Sequence, residues 1–308
     1  MHKQNISYVI LLGFQNLHNL NSLLFIFLLI IYWVTIIGNV LVIILVSFSN
    51  ILHSPMYFFI TQVSLLDILM ATDILPYLLY IVLRDGGTMS LAVCISQLYV
   101  FGNTESSECF IFMVMSYDRY LAICNPLHYN TIINKAFCVK SVIVSWFLSF
   151  LMALMDAISL QSSDFCGPNV IDHFFCDFFP VLELSCSDTS LIQLQASLFG
   201  SIAVICPFTM IIVSYVYIIT TILKIRSISG RQKAFSTCSS HLTVVCIFYG
   251  SLFSVYMVAT KGQLLATSKA LSLLYTVGTP LLNPFIYSLR NKDFKEAFKK
   301  IKTAFQKV

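Results

Sequence analysis

An all-α membrane protein, a bundle of seven transmembrane helices with a short amphipathic C-terminal helix, is the fold class this sequence predicts. Three observations carry it: seven apolar stretches divide the chain, basic residues gather in alternate connections, and four cysteines group on the opposite side. A hydrocarbon core of roughly 30 Å needs about 20 helical residues. Such runs lie near 22 to 47, 56 to 81, 93 to 119, 140 to 160, 193 to 223, 236 to 259 and 268 to 288. With 58% hydrophobic and only 10% charged residues, the chain lacks the polar groups to cover a surface in water, which excludes a soluble domain of this length.

Each element has its own signal. Residues 1–21 lack a charged-then-apolar pattern with a cleavage site, so segment one is expected to serve as its own insertion signal. Ser54-Pro55 opens segment two with proline in the first turn, where its missing N–H costs nothing. Segment three ends in Met115-Ser116-Tyr117-Asp118-Arg119-Tyr120-Leu121-Ala122-Ile123-Cys124. Between segments four and five, the stretch from Gln161 to about Leu191 holds three cysteines and the aromatics His173-Phe174-Phe175 and Phe178-Phe179. So long a loop is expected to be a lid over the bundle mouth rather than a spacer. In segment seven Pro280 and Pro284 remove backbone bonds, with Asn283 placed to re-satisfy freed carbonyls, a pattern that suits a hinge. Beyond it Phe294, Ala297, Phe298, Ile301 and Phe305 share one helical face and lysines the other, as in a helix on the inner leaflet. The chain thus reads as one domain: 1–21 outside, 22–288 the bundle, 289–308 a cytoplasmic tail.

Charge sets the orientation, because short cytoplasmic loops collect Lys and Arg. Arg119, Lys135 and Lys140 flank segments three and four, Lys224, Arg226, Arg231 and Lys233 lie between five and six, and seven more basic residues follow Leu289. The other side has Lys3, Arg84, Lys261 and Lys269 and most of the acids. The N-terminus is therefore expected outside, where the sequon Asn5-Ile6-Ser7 can be glycosylated. Cys94, Cys166, Cys176 and Cys186 fall on that same oxidising face and allow three pairings.

Ionisable groups inside apolar spans are costly unless they face the bundle or a water-filled cavity. Those identified are Asp67, Glu105 and Glu108, with Asp118 and Arg119 at the inner end of segment three. If Asp67 approaches Glu108, the two carboxylates share a proton, hold a cation such as sodium, or belong to a satisfied polar cluster with Ser64, Asn39 and Asn283. Embedded carboxylates and broken helices also suit a transporter or channel, but that reading expects repeated halves, and none is found.

Gly38-Asn39, Leu52-His53-Ser54-Pro55-Met56-Tyr57-Phe58-Phe59, Ser64-Leu65-Leu66-Asp67, the motif Met115 to Cys124 continued by Asn125-Pro126-Leu127-His128-Tyr129, Ser214-Tyr215, Lys233 to Leu242, and Pro280 to Asn291 together resemble the rhodopsin-like G-protein-coupled receptors. Within them the chain is similar to the odorant receptors, in the form of its last motif to the tetrapod-type class II. Val277 stands where an opsin has its retinal lysine, which excludes an opsin, and Phe101 stands where amine receptors have a carboxylate, which argues against an amine receptor of that pattern. Segment six has Phe248-Tyr249-Gly250-Ser251 in place of the common Cys-Trp-x-Pro switch, as odorant receptors do.

The resemblance implies a receptor and not an enzyme. A small, volatile organic ligand binding in the outer half of the bundle would activate a heterotrimeric G protein of the olfactory stimulatory type and raise cAMP, in the plasma membrane of olfactory cilia. The alternative reading is a chemosensory receptor of the same type acting in another tissue. The ligand positions implied are Phe101, Gly102, Glu105, Ser106, Cys109, Phe178, Phe199, Ala203, Cys206, Tyr249, Leu252, Phe253, Tyr256, Leu273 and Thr276. Those implied for coupling are Asp118, Arg119, Tyr120, Tyr215, Asn283, Pro284 and Tyr287, with Asp118 holding Arg119 at rest. The resemblance also selects the disulfides Cys94–Cys176 and Cys166–Cys186. Glu105 stands where odorant receptors commonly have a small residue. It is either a buried acid that shares Glu108's polar cluster without touching ligand or a ligand contact, which would favour polar ligands, donors or amines if charged and carbonyl acceptors if protonated.

Overall fold

The computed structural model describes residues 6–15, 20–166, 168–260, 265–290 and 292–305. Asn5 lies outside them, as do the side chains of Tyr256, Ile301 and Phe305. The described chain is mostly helical: α1 (Asn21–Phe48), α2 (Pro55–Arg84), α3 (Leu91–Cys124), α4 (Tyr129–Ile132), α5 (Lys135–Gln161), α6 (Phe178–Leu182), α7 (Ser190–Gly200), α8 (Cys206–Lys224), α9 (Ile228–Thr260), α10 (Leu265–Leu273), α11 (Thr279–Arg290) and α12 (Lys292–Phe305). Among the described residues five segments are long and apolar enough to cross a membrane: α1, α2, α5, the run from Ser190 to Lys224, and Cys238–Val255 within α9. Their outward faces stay apolar, with Ile26, Ile30 and Ile37 of α1 and Ile143, Phe147 and Met155 of α5 exposed. Hydrocarbon, not water, is the solvent such faces require. Helix α3 is the interior post, packed against α2, α5 and α8, with Thr104, Glu105, Ser107, Glu108, Ser116, Asp118 and Arg119 all buried.

Two helical runs widen into a π turn, at Ser201–Ile205 before α8 and at Leu274–Gly278 before α11. Proline explains both. It has no N–H and its ring crowds the carbonyl four residues back; for Pro207 and Pro280 that residue is 203 or 276, inside the respective π turn. The wider turn shifts the phase of everything after it. Pro284 lies within α11, and the carbonyl it leaves free, that of Pro280, accepts from Asn39 Nδ2 at 3.1 Å. Asn39 of α1, rather than Asn283, is therefore the residue that re-satisfies the broken ladder. Gly38 allows this approach, since a β-carbon there would come within 3.2 Å of the Pro284 ring.

Outside the bundle, β1 (Tyr8–Leu11) is the centre of a three-stranded sheet. It pairs antiparallel with β2 (Gly87–Ser90) and parallel with β3 (Val170–Ile171). Alternation puts Val9 and Leu11 inward, fully buried, and leaves Tyr8 half exposed. The part of 1–21 that is described is thus built into the lid, which four residues of alternation could not announce.

Candidate functional site

The loop from Ser162 to Thr189 is folded over the bundle mouth and held at several points. Cys176 is disulfide-bonded to Cys94 at the start of α3, and Cys166 to Cys186, with Cα–Cα distances of 5.5 and 5.9 Å. The Cys176 N–H donates to Gln97 Oε1 of α3 at 2.9 Å. Phe175 packs on Phe101, ring centroids 5.1 Å apart, and Phe174 on Phe14 at 5.4 Å. Buried Lys269 of α10 reaches up from the last segment, pairs with Asp172 and donates to the Gly13 carbonyl at 2.7 Å. Gly13 has a positive φ of 61°, and a β-carbon there would collide with Ile81, so glycine is required at this anchor. His173 lies buried between Phe174 and Phe175. Burial, with Lys269 nearby adding to it, pushes its pKa down to about 4, so its imidazole is neutral at pH 7.

Beneath the lid a cavity of about 120 Å³ lies between α3, α5, the lid and the segment around the first π turn. Of the fifteen ligand positions named from sequence, Phe101, Gly102, Glu105, Ser106, Phe178, Phe199 and Ala203 line it. Cys109, Tyr249, Leu252 and Thr276 are buried elsewhere in the core, and Leu273 is half-buried against it. Phe253 packs with Tyr249 around Phe208, at 5.0 and 4.7 Å, and this aromatic cluster fills the space between α8 and α9. Cys206 is exposed and is not a cavity residue here. The π turn is the reason: with Ala203 inward, the buried face continues through Pro207, Ile211 and Tyr215, turning Cys206 out. Conversely Asp156 and Asp177 line the cavity. Asp156 is an ionisable group in an apolar run, the same signal that marked Asp67, and so is half-buried Asp73 of α2; both extend the set identified from sequence.

Deeper in the bundle, the Asn283 amide nitrogen bridges two carboxylates. It stands 3.0 and 3.2 Å from the oxygens of Asp67 and 3.3 Å from Glu108 Oε1. One amide has two hydrogens to donate, so three buried polar side chains form a single cluster, with no cationic side chain among the described residues bonded to it.

At the inner end of α3, buried Arg119 donates through Nε to Asp118 Oδ2 at 2.8 Å, and its terminal nitrogen pairs with the same oxygen. Asp118 Oδ1 accepts from the Tyr129 hydroxyl of α4 at 2.7 Å. Tyr215 bonds His241 Nδ1 at 2.7 Å and donates to the Cys238 carbonyl at 3.3 Å, tying α8 to α9. Tyr287 is buried, its hydroxyl without a hydrogen-bond partner among the described residues. Tyr120 packs edge-on against Tyr217 at 5.9 Å. His241 and Tyr129 stand in the motifs quoted from the sequence, but only the fold reveals what they hold. The one buried guanidinium among the described residues is thus paired within its own helix, and the tyrosines of this group are hydrogen-bonded, packed on one another or enclosed.

The family model described as "Olfactory receptor" matches residues 28–305 of this chain. Similar curated proteins include human "Olfactory receptor 11L1", 45% identical over 305 residues covering 98% of this chain and 94% of that protein. Mouse "Olfactory receptor 8U3" is 42% identical, covering 97% and 95%, and human "Olfactory receptor 10A7" is 44% identical, covering 97% and 94%.

Proposed function

This chain belongs to the olfactory receptor family, a family of signalling receptors and not enzymes, and we propose how it performs that role. Seven segments cross the plasma membrane of olfactory cilia, with the N-terminus and a glycosylated Asn5 outside. Helix α12 lies on the inner leaflet, docked through Phe294 and through the Tyr57 hydroxyl, which donates to Asp293 Oδ2 at 2.7 Å. A small organic odorant enters the cavity under the lid. Opening of the inner face then lets a stimulatory G protein exchange its nucleotide, raising cAMP.

The observation that carries the mechanism is that α3 bears both ends of the device. Glu105 lines the cavity, and Arg119, paired with Asp118 as a lock on the inner face, lies fourteen residues on, about 21 Å along the axis. A ligand shifts such an equilibrium only by the difference in its affinity for the two states. Resting contacts at Asp118–Arg119 and Tyr215–His241 set the energy that difference has to offset. The Asp67, Glu108 and Asn283 cluster lies between the two ends. Its acceptor-rich oxygens fit a proton or a sodium ion, which Asp67 and Glu108 would hold, and which would neutralise charge that has no cationic side chain beside it.

The test is Arg119→Ala in cells reporting cAMP, at matched surface expression. Loss of signalling with ligand binding retained is expected, because the guanidinium works far from the cavity. Retained signalling would remove the proposed role.

A further inference from the structure

The cavity under the lid has carboxylates on three walls and, among the described residues, no base on any. Glu105 comes from α3, Asp156 from α5 and Asp177 from the lid. Arg119 pairs with Asp118, Lys269 with Asp172 and Lys300 with Glu296, so none of these cations serves the three acids. Hydrogen bonding satisfies only part of each group. Asp156 Oδ1 accepts from the Gln195 amide at 2.9 Å, Asp177 Oδ1 from the Phe178 N–H at 2.7 Å, and Glu105 has the Tyr275 hydroxyl in reach. An ionised carboxylate offers about four acceptor sites, so three of the cavity's four walls supply acceptor capacity. Glu105, only 9% exposed, is the most deeply placed and is near enough to Asp177 for their charges to interact.

We propose that this cavity selects the ammonium group of a small organic amine, held by Glu105 and Asp177 with Asp156 on the facing wall. The proposal rests on the reading of the cavity as the odorant site and specifies the ligand's chemistry. An ammonium presents three donors and no acceptor, the complement of walls rich in acceptors and without a base. A carboxylic acid or phosphate would meet repulsion. A neutral carbonyl compound would have only the Ser106 hydroxyl or a protonated acid to donate to it, and would leave the remaining acceptor capacity of the acids unmet. A bare metal ion fits less well, since among the described residues no three metal-binding side chains converge on one point. The rest of the lining, including Phe101, Phe199 and Ala203, suits an alkyl chain, and aromatic faces attract a cation. Burial raises the pKa of Asp177, as expected of an acid lacking the cation it is built to meet.

The experiment compares n-pentylamine, 1-pentanol and pentanoic acid, matched in chain length, for binding to the full-length receptor in lipid nanodiscs, and in parallel for cAMP output. Wild-type protein is expected to bind the amine at least about tenfold more tightly than the alcohol, and the acid least. Glu105→Gln, and separately Asp177→Asn, should weaken the amine by roughly tenfold to a hundredfold, the range for a charge-assisted hydrogen bond, and the alcohol by clearly less. The wild-type comparison needs no variant to fold, and equal affinity for amine and alcohol would overturn the proposal. So would amine binding that neither variant weakens. The underlying reading fails separately: amine binding without a cAMP response supports the ammonium site but not activation through this cavity. A neutral odorant that signals where the amine does not bind leaves the receptor reading standing and refutes this inference.

Discussion

Replacing Lys269 with methionine tests the claim that the lid is fastened to the last segment by one buried cation. Methionine keeps most of the length and the apolar stem and removes the ammonium, with its charge and its donors. Two interactions disappear: the donation to the Gly13 carbonyl at 2.7 Å and the pairing with Asp172. A hydrogen bond from a charged donor contributes about 1.5–3 kcal/mol. The Lys269 side chain is 8% exposed but that of Asp172 is 38% exposed, so water screens the ion pair and its share falls to roughly 0–1 kcal/mol. Lid opening should therefore become easier by about 2 kcal/mol, roughly a 30-fold rise in the open population. Hydrogen exchange reads this directly, because the amides of Leu12 and Gly13 donate to the Ile171 and His173 carbonyls at 3.1 and 3.0 Å and exchange when the lid lifts. Exchange at these two amides unchanged in Lys269→Met would show that the anchor does not hold the lid, whatever its geometry.

Three further outcomes concern the same lid. His173 has a folded-state pKa near 4 against an ordinary value of 6.5. Its neutral burial therefore contributes stability that is complete above about pH 6.5 and is lost as pH falls toward 4, on the order of 3 kcal/mol. Lid exchange should accelerate over that window, and His173→Phe should flatten the difference; a slope identical in wild type and variant would refute the assignment. Removing the Cys166–Cys186 link, which spans a sequence separation of 20, releases a loop whose closure stabilises by about 3 kcal/mol. Cys166→Ser with Cys186→Ser is expected to speed proteolysis between residues 161 and 190. Non-reduced peptide mapping of the wild type should recover Cys94 with Cys176 and Cys166 with Cys186, and a Cys94–Cys186 peptide would contradict this pairing.

The apolar runs determined where helices form, because a bilayer leaves the backbone no other partner than itself, and the runs near 22 to 47 and 56 to 81 agree with α1 and α2 within a few residues. Motif identity determined the family, since Met115 to Cys124 and Pro280 to Asn291 are long and specific. Side-chain placement was decided by the tertiary structure alone. Lys269 reads from the sequence as one of a few outer charges, yet the fold buries it, because its partners Asp172 and Gly13 come from segments 97 and 256 residues away. Cys206 has the spacing of an inward residue, and a π turn beside Pro207 rotates it outward. Asp156 and Asp177 are 21 positions apart and belong to a helix and a loop, so only the folded lid brings them to one cavity with Glu105. Helical period is a local property that a sequence displays, whereas the phase between helices and the groups a long loop delivers depend on contacts between distant segments. That is why the bundle was legible in the sequence and the acidic wall of its cavity was not.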